Sequence, residues 1–264
     1  MAIIKTIEFY NFRNFKSFKT FFDNKLNFLF GDNGCGKTNI LEGISLIAKG
    51  RGIRNANISN LIKKDQDNFL IKNNLEIQKN DFNVEIFAEH KNEKFKKVIK
   101  INEDSSKDSI NFLNQSISYL IFLPEMERLF QASPSYRRNF IDRLIFSSRN
   151  NYNRLINKYK KSLLERNKIL QSYSIDDDWL NHIEIQICSL GLEIYKLRNS
   201  QLNTLNIELN NMKNDHNFPF EVKLEIKDNF ANSEITFEEF LLNLRNSRVY
   251  DKQFGGTKIG PHKS

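Results

Sequence analysis

The residues best suited to chemistry stand together near the start of the chain, in Gly31-Asp32-Asn33-Gly34-Cys35-Gly36-Lys37-Thr38. The stretch meets the pattern G-x-x-x-x-G-K-[ST] at every fixed position, and it holds three of the chain's 10 glycines. Without a Cβ, glycine lets the backbone curl until successive N–H groups point at one anion. Lys37 then supplies a point charge for β- and γ-phosphates, and the Thr38 hydroxyl supplies a ligand for Mg2+. The chemistry these residues suit is the binding of a nucleoside triphosphate such as ATP. Cys35 fills a variable position and reads as a small filler rather than a nucleophile.

Such a loop needs a strand before it and a helix after it. Leu26 to Phe30 is a short apolar run of strand type leading into the loop. Ile40, Leu41, Ile44, Ile47 and Ala48 then recur at helical spacing, with Gly50 as a stop. The positive end of that helix dipole would face the same anion. Upstream, Ile3 to Phe9 reads as a first strand, followed by an aromatic and basic segment containing "NFRNF". Asn68 to Ile101 holds three alternating runs, the pattern of an antiparallel sheet with one wet face. Ile117 to Leu123 reads as a buried strand stopped by Pro124.

From Glu125 the period becomes helical. Tyr152, Ile156, Tyr159, Leu163 and Leu170 follow three-and-four spacing, with Asn167 in the slot between. Ile183, Ile187, Leu190, Ile194 and Leu197 form a second such stripe, which Asp176 to Asp178 could cap. "QSYSIDDD" suits a turn between antiparallel partners, and Trp179 and Cys188 read as core or turn-packing residues. Phe218 to Ile226 alternates like a strand. A last helix carries Arg245, Arg248 and Asp251 along one side and breaks at Gly255-Gly256.

Composition sets looser bounds. The chain has 264 residues and is 39% hydrophobic, enough for a core. Its 40 basic and 32 acidic residues give +8, compatible with nucleic acid or an anionic membrane surface. Two cysteines far apart match no metal spacing, so a reduced, cytoplasmic protein is expected. The first nine residues hold no signal-peptide core, and the apolar runs are too short to span a bilayer, so no membrane is expected.

Several stretches taken in order carry a resemblance: "NFRNF", the phosphate loop, "NILEGISLIAKGRGIR", "IFLPEMERLFQASPSYRRNFIDRLIF", "YKKSLLERNKIL", "DDWL" and "GGTKIGPHKS". Together they resemble the RecF family of SMC-like ATPases, bacterial proteins of DNA replication and repair. The resemblance implies an α/β fold, a P-loop ABC-type head with an inserted antiparallel helical subdomain. It implies an ATP-binding lobe over 1–124 and a helical arm over 125–245, with a strand near 218–226. A segment over 246–264 would return toward the lobe. Gly31, Asp32, Asn33, Gly34, Cys35, Gly36, Lys37 and Thr38 would bind ATP, with Thr38 on Mg2+ and Arg13 near the nucleotide. Arg51 and Arg54, in the turn after the helix, would lie close to a dimer face and DNA. Gly52 and Ile53 depart from the family's serine-aromatic pair in that turn. Arg137 and Arg138 are candidates for DNA phosphates, with solvated charges or internal ion pairs an equal alternative. His262 falls in a family motif whose role does not follow from its chemistry.

By the same resemblance, the partners are single-stranded and gapped duplex DNA, recombination mediator proteins and a second copy in an ATP-dependent homodimer. The setting is cytoplasmic recombinational repair and the SOS response. The family's signature loop and its strand with paired carboxylates have no counterpart here: Asp176 to Asp178 reads as a cap, and Glu125 stands without a partner motif. The expectation is an amino-terminal portion of such a protein, with negligible hydrolysis and an apolar edge at Leu26 to Phe30. Two alternatives are an ABC-type transport ATPase subunit and a nucleotide-dependent binding module that does not hydrolyse.

Overall fold

Alternation in the first hundred residues becomes an antiparallel sheet. The structure is a computed structural model; it describes residues 2–263 apart from 24, 49, 92–93, 123, 150, 217–218 and 228–234. Strands β1 (Ala2–Phe12), β2 (Phe15–Phe21), β3 (Leu70–Ile77), β4 (Asn80–Lys91) and β5 (Lys94–Ile101) lie in the order β2-β1-β3-β4-β5. Every neighbouring pair is antiparallel. Ile7, Phe9, Ile71, Leu75, Val84, Ile86 and Ile99 form one buried face. The other face is wet, carrying the pairs Glu8–Lys19 and Lys72–Glu85. Helices α1 (Lys37–Ser45) and α2 (Lys107–Ser116) contribute Ile40 and Leu113 to the same core.

Strand β2 is a feature that the sequence reading leaves as an aromatic and basic segment. Asn11 takes a left-handed backbone, φ 49°, which turns Phe12 back to the core face that Phe9 occupies. Phe12, Phe15 and Phe18 then gather on Phe9, with ring centroids 5.1, 5.5 and 6.2 Å away. Left-handed Arg13, φ 54°, closes the hairpin, and its N–H donates to Leu61 O at 2.8 Å.

Two expected strands are corrected. Leu26 to Phe30 and, of Ile117 to Leu123, residues 117–122 are irregular, Leu123 lying outside the described residues, and no described strand pairs with either. A strand exists only where a neighbour accepts its hydrogen bonds, and here none does. Phe28 and Phe30 are accordingly 77% and 92% exposed, an apolar stretch running into the loop.

The chain divides into two compact units, Met1–Ile121 and Phe122–Ser264. The second is helical: a 3-10 segment Pro124–Gln131, then α3 (Pro134–Ser148), α4 (Tyr152–Gln171), α5 (Asp177–His216), α6 (Phe237–Asn246) and α7 (Arg248–Phe254). Asp176 caps α5 as expected, its carboxylate accepting from the Trp179 N–H at 2.9 Å. Trp179 itself is half-exposed and stacks on His182, while Cys188 is fully buried, which pushes its thiol up to about 12.

The apolar stripe of α4 holds a charge. Arg166, not Asn167, fills its inward slot, and it is 0% exposed. Its Nε donates to Glu184 at 3.0 Å and its terminal nitrogens to Asp251 (2.6 Å), Thr257 (3.1 Å) and Leu244 O (2.8 Å). Arg248 pairs with Glu184 from the other side at 2.6 Å. Arg198 of α5 likewise grips Asp142 of α3 through two bonds of 2.9 Å.

Residues of the segment 246–263 pack against the helices of this unit. His262 Nε2 donates to Thr257 O at 2.8 Å, so Nδ1 is left to accept from the Tyr159 hydroxyl at 2.9 Å. The strand expected over Phe218 to Ile226 is also corrected. Its first residue lies outside the described residues, and 221–226 is irregular. Asn206 of α5 takes the place of a neighbouring strand, its side-chain amide donating to Leu224 O and accepting from Leu224 N–H. Among the described residues no helix is long and apolar enough to cross a membrane.

Candidate nucleotide-binding loop

Gly31, Gly34 and Gly36 all have positive φ, at 147°, 89° and 112°. Gly36 has a second reason to be glycine, since a Cβ there would stand 2.5 Å from the Phe15 ring. The loop therefore rests on the hairpin's aromatic cluster. Gly43, about two turns further along in α1, is bare for a similar reason: a Cβ would meet the Phe9 ring at 2.2 Å. These two glycines let α1 and the loop before it lie close against β1 and β2, with the helix's first turn open behind the loop.

No side chain caps α1, so its first N–H groups are left to an outside acceptor. Thr38 is exposed in that first turn. The Lys37 ammonium folds back over the loop and donates to Gly31 O at 2.5 Å and Asp32 O at 2.9 Å. Curled amides, an open helix start and a cation across the mouth can together receive a polyphosphate.

The hairpin approaches the loop through Asn14, which the sequence reading passes over. Its Nδ2 donates to Cys35 O at 3.2 Å, and its Oδ1 accepts from Asn39 at 2.8 Å. Arg13 lies one residue away but turns to α1, where Nε and a terminal nitrogen grip buried Glu42 at 2.8 and 2.7 Å. Its remaining terminal nitrogen donates to Asn60 O at 2.8 Å. Arg54 meets the same Glu42 at 3.2 Å and Asn39 at 2.9 Å, while Arg51 is exposed. At the far end of α1, burial pushes Lys97 down to about 8, while its ammonium donates to Leu46 O, Ala48 O and Gly50 O at 2.7–3.1 Å. This lysine holds the start of the basic turn to the sheet.

Arg137 and Arg138 lie in the helical unit. Arg137 donates to Ala132 O at 2.8 Å and Phe130 O at 3.3 Å. Arg138 is half-buried, and desolvation with neighbouring Arg198 lowers its pKa. Neither residue presents a freely solvated guanidinium. Among the described residues no cluster of three or more His, Cys, Asp or Glu could hold a metal by itself.

An antiparallel sheet, a glycine loop and a helix opening on that loop define a phosphate-loop nucleotide-binding head of the α/β class. The model of the RecF/RecN/SMC N-terminal domain matches residues 3–133. The DNA replication and repair protein RecF of Rickettsia massiliae (strain Mtu5) is 32% identical over 246 residues, covering 92% of this chain and 67% of that protein. RecF of Rickettsia akari (strain Hartford) is 33% identical over 248 residues, with the same coverage. The chain thus spans about two thirds of the length of the curated relatives it matches. A solved structure of the recombination mediator protein RecF with ATPrS in the RecFOR pathway superposes with a TM-score of 0.82 at 26% identity, over 99% of this chain and 72% of that one. The RecF–ATP structure gives a TM-score of 0.77 at 26% identity, over 99% and 71%. The chain belongs to the RecF family.

Proposed function

We propose that this chain binds ATP with Mg2+ through Gly31 to Thr38 and acts with DNA in replication and repair. The observation that carries the reading is the open, uncapped start of α1 behind a loop of left-handed glycines, with Lys37 resting on the loop's own carbonyls. When ATP enters, the loop amides donate to its phosphate oxygens, and Lys37 exchanges the carbonyls of Gly31 and Asp32 for them. The Thr38 hydroxyl is the chain's ligand for Mg2+, which supplies the cation that offsets the triphosphate charge. Asn14 and Asn39 brace the loop from the side. Arg13 acts on the nucleotide site indirectly, by fixing Glu42 under α1. The solved relatives bear on this reading through their nucleotides, one being a RecF–ATP structure.

The partners are single-stranded and gapped duplex DNA, recombination mediator proteins and a second copy that joins when ATP is bound, in the cytoplasm. A titration with a fluorescent ATP analogue and Mg2+ tests the core of this. The unaltered chain should saturate, and Lys37→Ala should lose binding at least tenfold. Equal affinity in the two proteins would remove the loop from the site.

A further inference from the structure

The chain's positive charge is gathered in one place. Residues 134–171, spanning α3 and α4, hold ten Lys and Arg against only Asp142 and Glu165, a surplus of eight. The whole chain has 40 basic and 32 acidic residues, so the remainder balances at thirty of each. A surplus equal to the entire formal charge of +8 therefore sits on two consecutive helices of one unit and the turn that joins them.

Part of that charge is spent internally. Arg166 is buried against Asp251 and Glu184, and Arg137 is tied to backbone carbonyls. Arg138 is half-buried, and the other seven are exposed. On α4, Arg154, Lys158, Lys161 and Lys168 are exposed and follow spacings of four, three and seven. At 3.6 residues per turn this places all four in one stripe about 80° wide and about 21 Å long. Glu165 is the one acidic residue within it, and none of the four bases forms an ion pair with a described residue. The apolar side of α4, with Tyr152, Leu155 and Tyr159, is turned into the unit's core.

We propose that this stripe of α4 tracks the phosphate backbone of duplex DNA, a proposal that rests on the DNA reading above. A rigid helix presenting cations over about 21 Å spans roughly six base-pair steps at about 3.4 Å each. Proteins that hold single strands add aromatic platforms for the bases. The aromatics of α4, Tyr152 and Tyr159, are both buried, so the stripe offers charge without stacking. An anionic membrane fits less well, because a helix lying on lipid needs its apolar face free, and that face is packed.

The test uses the whole chain and a fluorescent duplex of about 20 base pairs, with affinity followed across a salt series. Each phosphate contact contributes about 0.9 to the slope of log K against log salt. The variant R154Q/K158Q/K161Q/K168Q should lower that slope by about 3.6 and weaken binding at least tenfold near physiological salt. A matched variant at Lys16, Lys64, Lys79 and Lys107 on the sheet unit, all four changed to Gln, should keep the slope. Replacing the three stripe lysines by Arg should keep it too. An unchanged slope in the stripe variant, while the unaltered chain binds duplex, overturns the proposal and leaves the DNA reading standing. Failure of the folded, unaltered chain to bind this duplex overturns the proposal, and failure on gapped duplex and single-stranded DNA as well overturns the DNA reading with it.

Discussion

Replacing Arg166 by Met should destabilise the helical unit by about 3–5 kcal/mol, the usual cost of stripping one partner from a buried ion pair. The structure indicates where that cost falls. Glu184 keeps Arg248, which still donates to it at 2.6 and 3.1 Å. Asp251 fares worse. Its Oδ1 retains the Lys258 N–H at 2.9 Å, but its Oδ2 is left with the Ser247 hydroxyl at 2.6 Å and no neighbouring cation. Leu244 O also loses its guanidinium donor. The penalty is therefore that of one buried, unpaired carboxylate, and Asp251→Asn added to Arg166→Met should recover part of it by removing the charge. A domain's total stability is about 5–15 kcal/mol, so the single change consumes about a fifth of it or more. Trp179 is the chain's one tryptophan and opens α5 in the same unit, so urea unfolding followed by its fluorescence reads this unit directly. A loss below about 1 kcal/mol, or a double variant no better than the single one, would refute the view that Asp251 depends on Arg166.

Gly36→Ala should impair both folding and ATP binding, because it adds about 1–2 kcal/mol of left-handed strain and drives a methyl into the Phe15 ring. A lower thermal midpoint together with weaker binding of a fluorescent ATP analogue is the expected pair of results. His262 should make the helical unit sensitive to mild acid. Burial lowers its pKa below 6.5 in the folded state, so the unfolded chain takes up the proton first. Its contribution is complete above pH 6.5 and fades as the pH falls below that, and His262→Gln should flatten the urea midpoint measured from about pH 7 to about pH 5.5.

The glycine loop is legible because its turn is local: eight consecutive residues contain both the curl and the lysine that folds over it. Strands β3 to β5 were legible because strict alternation survives wherever one face is wet. Leu26 to Phe30 and 117–122 misled because an apolar run states only a capacity to pair, and no described strand accepts the offer. Strand β2 escaped notice because its phenylalanines at 15, 18 and 21 repeat by threes, and a left-handed Asn11 is needed to bring Phe12 into line with Phe9. Arg166 sat in plain view at the spacing of the buried stripe. Spacing alone does not place it there, because a guanidinium belongs inside only when carboxylates 18 and 85 residues away converge on it. Asn14 is silent in the sequence for a similar reason, since its role depends on a loop about twenty residues further along the chain.

Glu42 serves two masters with a single negative charge. Arg13 takes it in a two-pronged clasp at 2.7 and 2.8 Å, while Arg54 holds on by one nitrogen at 3.2 Å and is the more exposed of the two. Arg54 can consequently swing out toward an arriving anion without orphaning the carboxylate behind it, since the clasp from Arg13 persists. The departure would still be felt at the nucleotide loop, because the same guanidinium steadies Asn39, the next residue after Thr38.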